Sequence, residues 1–232
     1  MKCFRLLVIL LLTTVLIGCS STGWNYYRAI YTNESPLNTP EDPKILILPA
    51  KIEIRYKDAL GNSELNSEKS DAVASIYNRS LEKYMASLGM TTIPYNSEVI
   101  LASDKVLLKK VAEIFDAVMS QNISKSSLGA SRFYSLNKSI RRSISRYSAD
   151  YLVVTDMEFT GTTFGSVVVR SMMSAPEFDK FVVKIGVFDL RDGQFVWANL
   201  DKNNADSYGF FRPEQEMWDR KVARMFKSFS LK

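Results

Sequence analysis

The hydrophobic residues of this chain change their spacing several times, and each change marks an element. Lys44 to Tyr56, KILILPAKIEIRY, opens with an unbroken apolar run from Ile45 to Leu48 and then alternates through Ile52, Ile54 and Tyr56. An unbroken run suits a strand covered on both faces, and alternation suits one covered on a single face. A polar stretch, KDALGNSELNSEKS, follows. From Ser70 to Leu88 the residues Val73, Tyr77, Leu81, Tyr84 and Leu88 recur at helical spacing, with Gly89 where helices usually end. MTTIPY then reads as a short strand and completes a strand–helix–strand unit.

Two further helical patterns follow. One runs from Val106 to Met119, with Leu107, Val111, Ile114, Phe115 and Val118 on one side. The other runs from Phe133 to Tyr147, with Phe133, Leu136, Ile140, Ile144 and Tyr147. Three strand patterns come next, DYLVVTDMEFT (150–160), KFVVKIGVFDL (180–190) and QFVWANL (194–200). The last two are joined by a tight turn in which Gly193 is free to take positive φ. A closing helix is predicted from Pro213 to about Phe229, with Trp218, Val222, Met225 and Phe229 on one face. The order strand–helix–strand–helix–helix–strand–strand–strand–helix predicts one α/β domain over residues 44–232, a single mixed sheet of about five strands with packed helices.

The first 43 residues have a different character. Lys2 and Arg5 precede a continuous apolar stretch from Leu6 to Leu12, and Leu6 to Gly18 is too short to span a bilayer, which takes about 20 residues. This is the pattern of an export signal over residues 1–18. Residues 19–43, with Pro36, Pro40 and Pro43 among Ser, Thr and Asn, read as a tether. Trp24, Tyr26, Tyr27 and Tyr31 either sit at a membrane surface or pack onto the domain, and their spacing does not choose between the two.

Composition then excludes whole classes of chemistry. The chain has no histidine, and its two cysteines are Cys3, inside the signal, and Cys19. Ser-His-Asp and Cys-His catalysis, His/Cys zinc sites and an internal disulfide are therefore not expected. Without Lys2 and Arg5, the 30 basic residues fall to 28 against 25 acidic ones, which gives no basic footprint for nucleic acid. Neither a glycine-rich phosphate loop nor a calcium-loop spacing occurs, so no cofactor and no metal are expected.

Leu16-Ile17-Gly18-Cys19 resembles a bacterial lipobox. The resemblance implies cleavage between Gly18 and Cys19, acylation of Cys19 and, because Ser20 and not Asp follows, transport to the outer membrane facing the periplasm. Several acyl chains anchor stably where one is marginal. Behind this box, SADYLVVTDMEFTG (148–161) and VVKIGVFDLRDGQFVWAN (182–199) resemble stretches of an envelope superfamily. Its members include the curli-secretion lipoprotein, the outer-membrane lipoprotein activators of penicillin-binding proteins and the N-terminal domain of the Tol–Pal propeller protein. The second stretch is similar to the pattern D-L-x-[TD]-G-x-x-[VL]-W. Asp156 stands where that family usually has Gly.

Three groups of residues invite a functional reading. Asp156 and Glu158 share one face of a strand and would make an acid/base pair of the glycosidase kind. If strands 150–160 and 180–190 pair antiparallel about a centre near Arg170, however, Lys184 falls opposite them and neutralises them. The stretch 124–148 holds Lys125, Arg132, Lys138, Arg141, Arg142 and Arg146 without an acid, and Lys138, Arg142 and Arg146 share a helix face. The helix is either simply solvated there or, through Arg141, Arg142 and Arg146, a dock for an acidic partner or an anionic envelope polymer. TTFGSVVVRSMMSAPEF (162–178) offers Val168, Met172 and Met173 as an apolar partner-binding patch. Residues 161–179 barely reach the length of a membrane-spanning hairpin, which needs two strands of about 9–11 residues and a turn, and the Arg170, Pro176 and Glu177 among them oppose insertion. Together these features predict a lipid-anchored, non-catalytic adaptor that binds or regulates another envelope protein. The alternatives are a ring-forming, homo-oligomeric subunit of an outer-membrane secretion channel and a carboxylate-based envelope hydrolase.

Overall fold

In the computed structural model of the chain, residues 27–32, 40–58, 60–95, 102–120, 135–162, 180–203 and 213–229 are described. They form β1 (Tyr27–Thr32), β2 (Lys44–Ile47), β3 (Lys51–Lys57), β4 (Ser63–Leu65), α1 (Ser67–Ser87), β5 (Thr91–Pro94), α2 (Ala102–Ser120), α3 (Lys138–Ile144), β6 (Tyr151–Thr162), β7 (Lys180–Asp189), β8 (Phe195–Asn203) and α4 (Gln215–Met225). The fold is a mixed α/β one, and the predicted strands and helices are present in the predicted order. The sheet nevertheless has eight strands, in the order β1-β8-β7-β6-β2-β5, with β3 also on β6 and β4 on β3.

Two differences from the sequence pattern account for two of the three extra strands, and the third, β4, is a short partner of β3 inside the polar stretch that follows it. The run 44–56 is one line of chain broken in the middle. β2 lies parallel to β6 with Ile47 beside Val153, and β3 continues along the same edge with Lys51 beside Asp156. Leu48, Pro49 and Ala50 therefore stand against only Val154 and Thr155, one residue too many. An extra residue in a period-two strand reverses which side chains face which way. Pro49 suits the break because it has no N–H to give a ladder. The reversal keeps Ile52 and Ile54 on the same buried face as Ile45 and Ile47. It also turns Lys51, Glu53 and Arg55 to the opposite face. The second difference is β1, which lies inside the segment read as a tether. Residues 27–32 pair antiparallel with β8, from Tyr27 beside Lys202 to Thr32 beside Trp197. The folded part thus begins before residue 44.

Among the described residues, each face of the sheet carries two helices. α1 is capped by Asn66, whose side chain accepts from the Lys69 amide at 2.9 Å, and ends at Gly89 with φ of +79°. It buries Val73, Tyr77, Leu81 and Met85 beside α4, which contributes Trp218, Val222 and Met225. Tyr77 meets Trp218 edge to face at 6.0 Å and shares a hydrogen bond of 2.8 Å with Thr155 of β6. On the other face α2 brings Val111, Phe115 and Met119, and the segment of α3 brings Leu136, Ile140 and Ile144. α3 is shorter than its pattern. It begins after Asn137, whose side chain accepts from the Ile140 amide, and tightens into a 3₁₀ turn over Ser145–Tyr147. Leu136 precedes the helix, and its amide donates to the Gly193 carbonyl at 2.8 Å. No helix of the described residues is long and apolar enough to cross a membrane.

Candidate functional site

α2 and α3 cover only part of their face of the sheet. Beyond them the strands continue, and their side chains form two rows set by the strand register. One row is Lys51, Asp156, Lys184 and Leu200; the other is Glu53, Glu158, Val182 and Lys202. With Asp116 and Met119 from the end of α2 as a wall, these residues line a groove of about 410 Å³. The residues of β3 that the extra residue near Pro49 turned to this face supply its outer rim.

The groove is held by alternating charge. Lys184 Nζ lies 3.1 Å from Asp156 Oδ2 and 3.2 Å from Asp116 Oδ1, so one ammonium bridges the sheet and the helix above it. Lys51 Nζ stands 3.8 Å from Asp156 Oδ1 and 3.4 Å from Glu53, and Arg55 reaches Glu53 at 2.8 Å. Burial opposes the charge on Lys184, yet the Asp156 and Asp116 carboxylates outweigh it and hold the ammonium above the usual lysine range. The hydrogen bond from Arg55, helped by the Lys51 charge, holds Glu53 below the usual carboxylate range against the cost of its partial burial.

The expected antiparallel register about residue 170 is observed, and Asp156 lies directly opposite Lys184. Asp156 and Glu158 do line a groove, as a hydrolase would need. Lys184 stands opposite Asp156 across the sheet and pairs with it, the neutralising arrangement that the register predicts. Among the described residues no group of three or more His, Cys, Asp or Glu side chains could hold a metal ion.

The other candidates are placed as follows. Arg142 is exposed on α3, and Arg146 is exposed on the turn after it with its guanidinium 5.0 Å above the Tyr147 ring. Arg141 points elsewhere: its Nη1 donates to the Arg191 carbonyl at 2.8 Å, and its stem lies against Gly193. Arg141 thus ties α3 to the β7–β8 hairpin and does not join Arg142 and Arg146 on the open face. Val168, Met172 and Met173, like Gly18 and Cys19, lie outside the described residues.

The two stretches that carry the family resemblance meet at one end of the sheet. Asp150 accepts from the Lys44 amide at 2.9 Å, while its own amide and carbonyl bond Lys44 and Leu190. Asp189 accepts from Arg191 Nε and from the Arg191 amide, each at 2.9 Å, and Arg191 also reaches the Tyr151 hydroxyl at 3.2 Å. Gly193, at φ +82°, closes the turn so near the Leu136 carbonyl that an added Cβ would sit 2.5 Å from it. Trp197 stacks on Phe226 at 5.0 Å. Each of these residues fixes the hairpin or the core. The Arg141 tie and the Lys184 bridge to Asp116 are contacts that the sequence pattern did not bring out, because both cross from a helix to the sheet.

No protein-family model and no curated protein matches the chain. Among solved structures, two of the PelC dodecamer from Paraburkholderia phytofirmans are similar at 7% identity and a TM-score of 0.38. One covers 90% of this chain and 100% of its own, the other 89% and 99%. A likeness of this size establishes neither a shared fold nor a shared function.

Proposed function

We propose that this protein is an outer-membrane, periplasm-facing lipoprotein, acylated at Cys19, that acts as a non-catalytic adaptor or regulator of another envelope protein. Its place would be in the superfamily of the curli-secretion lipoprotein and the activators of penicillin-binding proteins. The observation that carries the non-catalytic reading is the ion pair between Asp156 and Lys184 at 3.1 Å. It turns the most suggestive acidic position in the chain into part of a structural charge ladder. The sequence LIGCSS and the absence of histidine point the same way. Arg142 and Arg146, exposed together with Lys138, are the described part of the docking surface. Forked guanidinium groups suit carboxylates and phosphates on a partner.

The test is photocrosslinking in cells from positions 142 and 172 of the full chain, followed by mass spectrometry of the adducts. One dominant adduct to a different envelope protein is the expected result. A ladder of adducts to itself alone would replace the adaptor with a ring-forming subunit. Labelled palmitate should enter the wild-type chain and not the Cys19→Ser variant.

A further inference from the structure

Two charges in the groove make no salt bridge among the described residues. Glu158 makes no salt bridge among the described residues and faces Glu53 directly across the parallel β3–β6 pair. Glu53 is already engaged by Lys51 at 3.4 Å and Arg55 at 2.8 Å. The Arg55 charge also acts on Glu158 without forming a salt bridge to it, so the Glu158 carboxylate can still accept a cation at close range. In the same row, Lys202 likewise has no salt bridge among the described residues, and Val182 separates it from Glu158. Neighbouring strands are about 4.8 Å apart, so the backbones at Glu158 and Lys202 stand about 10 Å from each other. The residue between them is the half-buried Val182.

We propose that this groove binds a short extended peptide through its two free ends. The amine lies on Glu158, the carboxylate on Lys202, and the middle side chain on Val182. An extended chain advances about 3.3–3.6 Å per residue, so three residues span about 10 Å. A single amino acid holds its two charges too close together to reach both sites. This inference goes beyond the adaptor reading and does not depend on it, since it requires only the groove.

The probe is the tripeptide Ala-Leu-Ala, titrated calorimetrically into the full chain in detergent and compared with its N-acetylated and C-amidated forms. Saturable binding of the free tripeptide is expected. Acetylation or amidation should each weaken it about twofold to fivefold, the range of an exposed ion pair. In Glu158→Gln the acetylation effect should vanish while the amidation effect stays, and in Lys202→Gln the reverse should hold. Both residues are exposed, so circular dichroism should show unchanged folding. No saturable heat at millimolar tripeptide, or end-group effects that persist in the matching variant, overturns the proposal. Either result leaves the photocrosslinking outcome untouched.

Discussion

On the face of α1 and α4 the sheet is closed by large rings: Tyr77, Trp218, Trp197 and Phe226 are all essentially inaccessible. On the face of α2 and α3 closure by the described residues stops part-way, and the same strands pass from Leu152 and Val154 to Asp156 and Glu158, from Phe188 and Gly186 to Lys184. The strands are continuous across that boundary, so backbone pairing does not distinguish the halves. What differs is how the face is finished, by apolar packing in one place and by paired charge in the other. Burial of apolar area is worth far more than exposed ion pairs. The closed face should therefore govern stability, leaving the open groove free to vary.

The sharpest way to break this contrast is Trp218→Ala. The side chain is wholly buried between α1 and α4, and its loss should cost about 3–5 kcal/mol. Urea unfolding followed by circular dichroism should show the midpoint fall by more than in any groove variant. A loss no larger than that of a groove variant would mean the closed face does not dominate.

Gly186 marks the boundary on the other face. A Cβ there would lie 2.6 Å from the Phe195 ring and 2.7 Å from the Phe115 ring, so α2 can approach the sheet only because position 186 has no side chain. Gly186→Ala should destabilise by about 1–3 kcal/mol through overpacking. Combining it with Phe115→Leu, which removes one of the obstructing rings, should recover part of the loss. Purely additive losses in the same urea titration would show that the ring contact is not the cause.

How much of this contrast is legible in the sequence depends on the range of the contacts. The pairing of 150–160 with 180–190 is readable because both strands belong to one hairpin, and its symmetry about residue 170 places Lys184 opposite Asp156. The helical stripes are readable because their spacing is local. The extra residue at Leu48–Ala50 is not, since an apolar run flanking Pro49 looks the same in either register; only pairing with β6 shows the reversal. β1 is hidden for a related reason. Its partner β8 lies near the other end of the chain, and the prolines downstream of β1 dominate the local pattern. Arg141 shares composition with its neighbours, and only the proximity of the hairpin separates its role from that of Arg142.

Lys184→Met tests the charge ladder itself. Removing the ammonium leaves Asp156, among the described residues, with only Lys51 at 3.8 Å, and the cost should be about 1 kcal/mol or less, well below that of Trp218→Ala. Because the folded protein holds Lys184 above its ordinary value of 10.5, the wild-type advantage should be complete below that pH and fade as the pH climbs past the raised folded value. Comparing the urea midpoints of the two proteins from pH 8 upward checks this. An advantage that did not fade at high pH would assign the effect to packing of the lysine stem instead.

The smallest effect is expected from a charge on the edge of the closed face. Asp219 of α4 is clamped to α1, accepting from Lys83 at 2.6 Å and Ser80 at 2.7 Å, and Gln215 of its own helix adds a bond of 2.9 Å. Lys83 first, with Gln215 and Ser80, holds the carboxyl down at about 2 from an ordinary 3.8. A depressed folded value contributes stability above the unfolded one, so the contribution should be present above about pH 4 and lost as the pH falls through about 2. Asp219→Asn should therefore unfold at lower urea than wild type at pH 5, and the two should converge by pH 2. The difference should stay below about 1 kcal/mol because the carboxylate remains partly solvated. A larger difference, or one that persisted at pH 2, would mean that the α1–α4 packing depends on polar bonds at its rim and not on the rings beneath them.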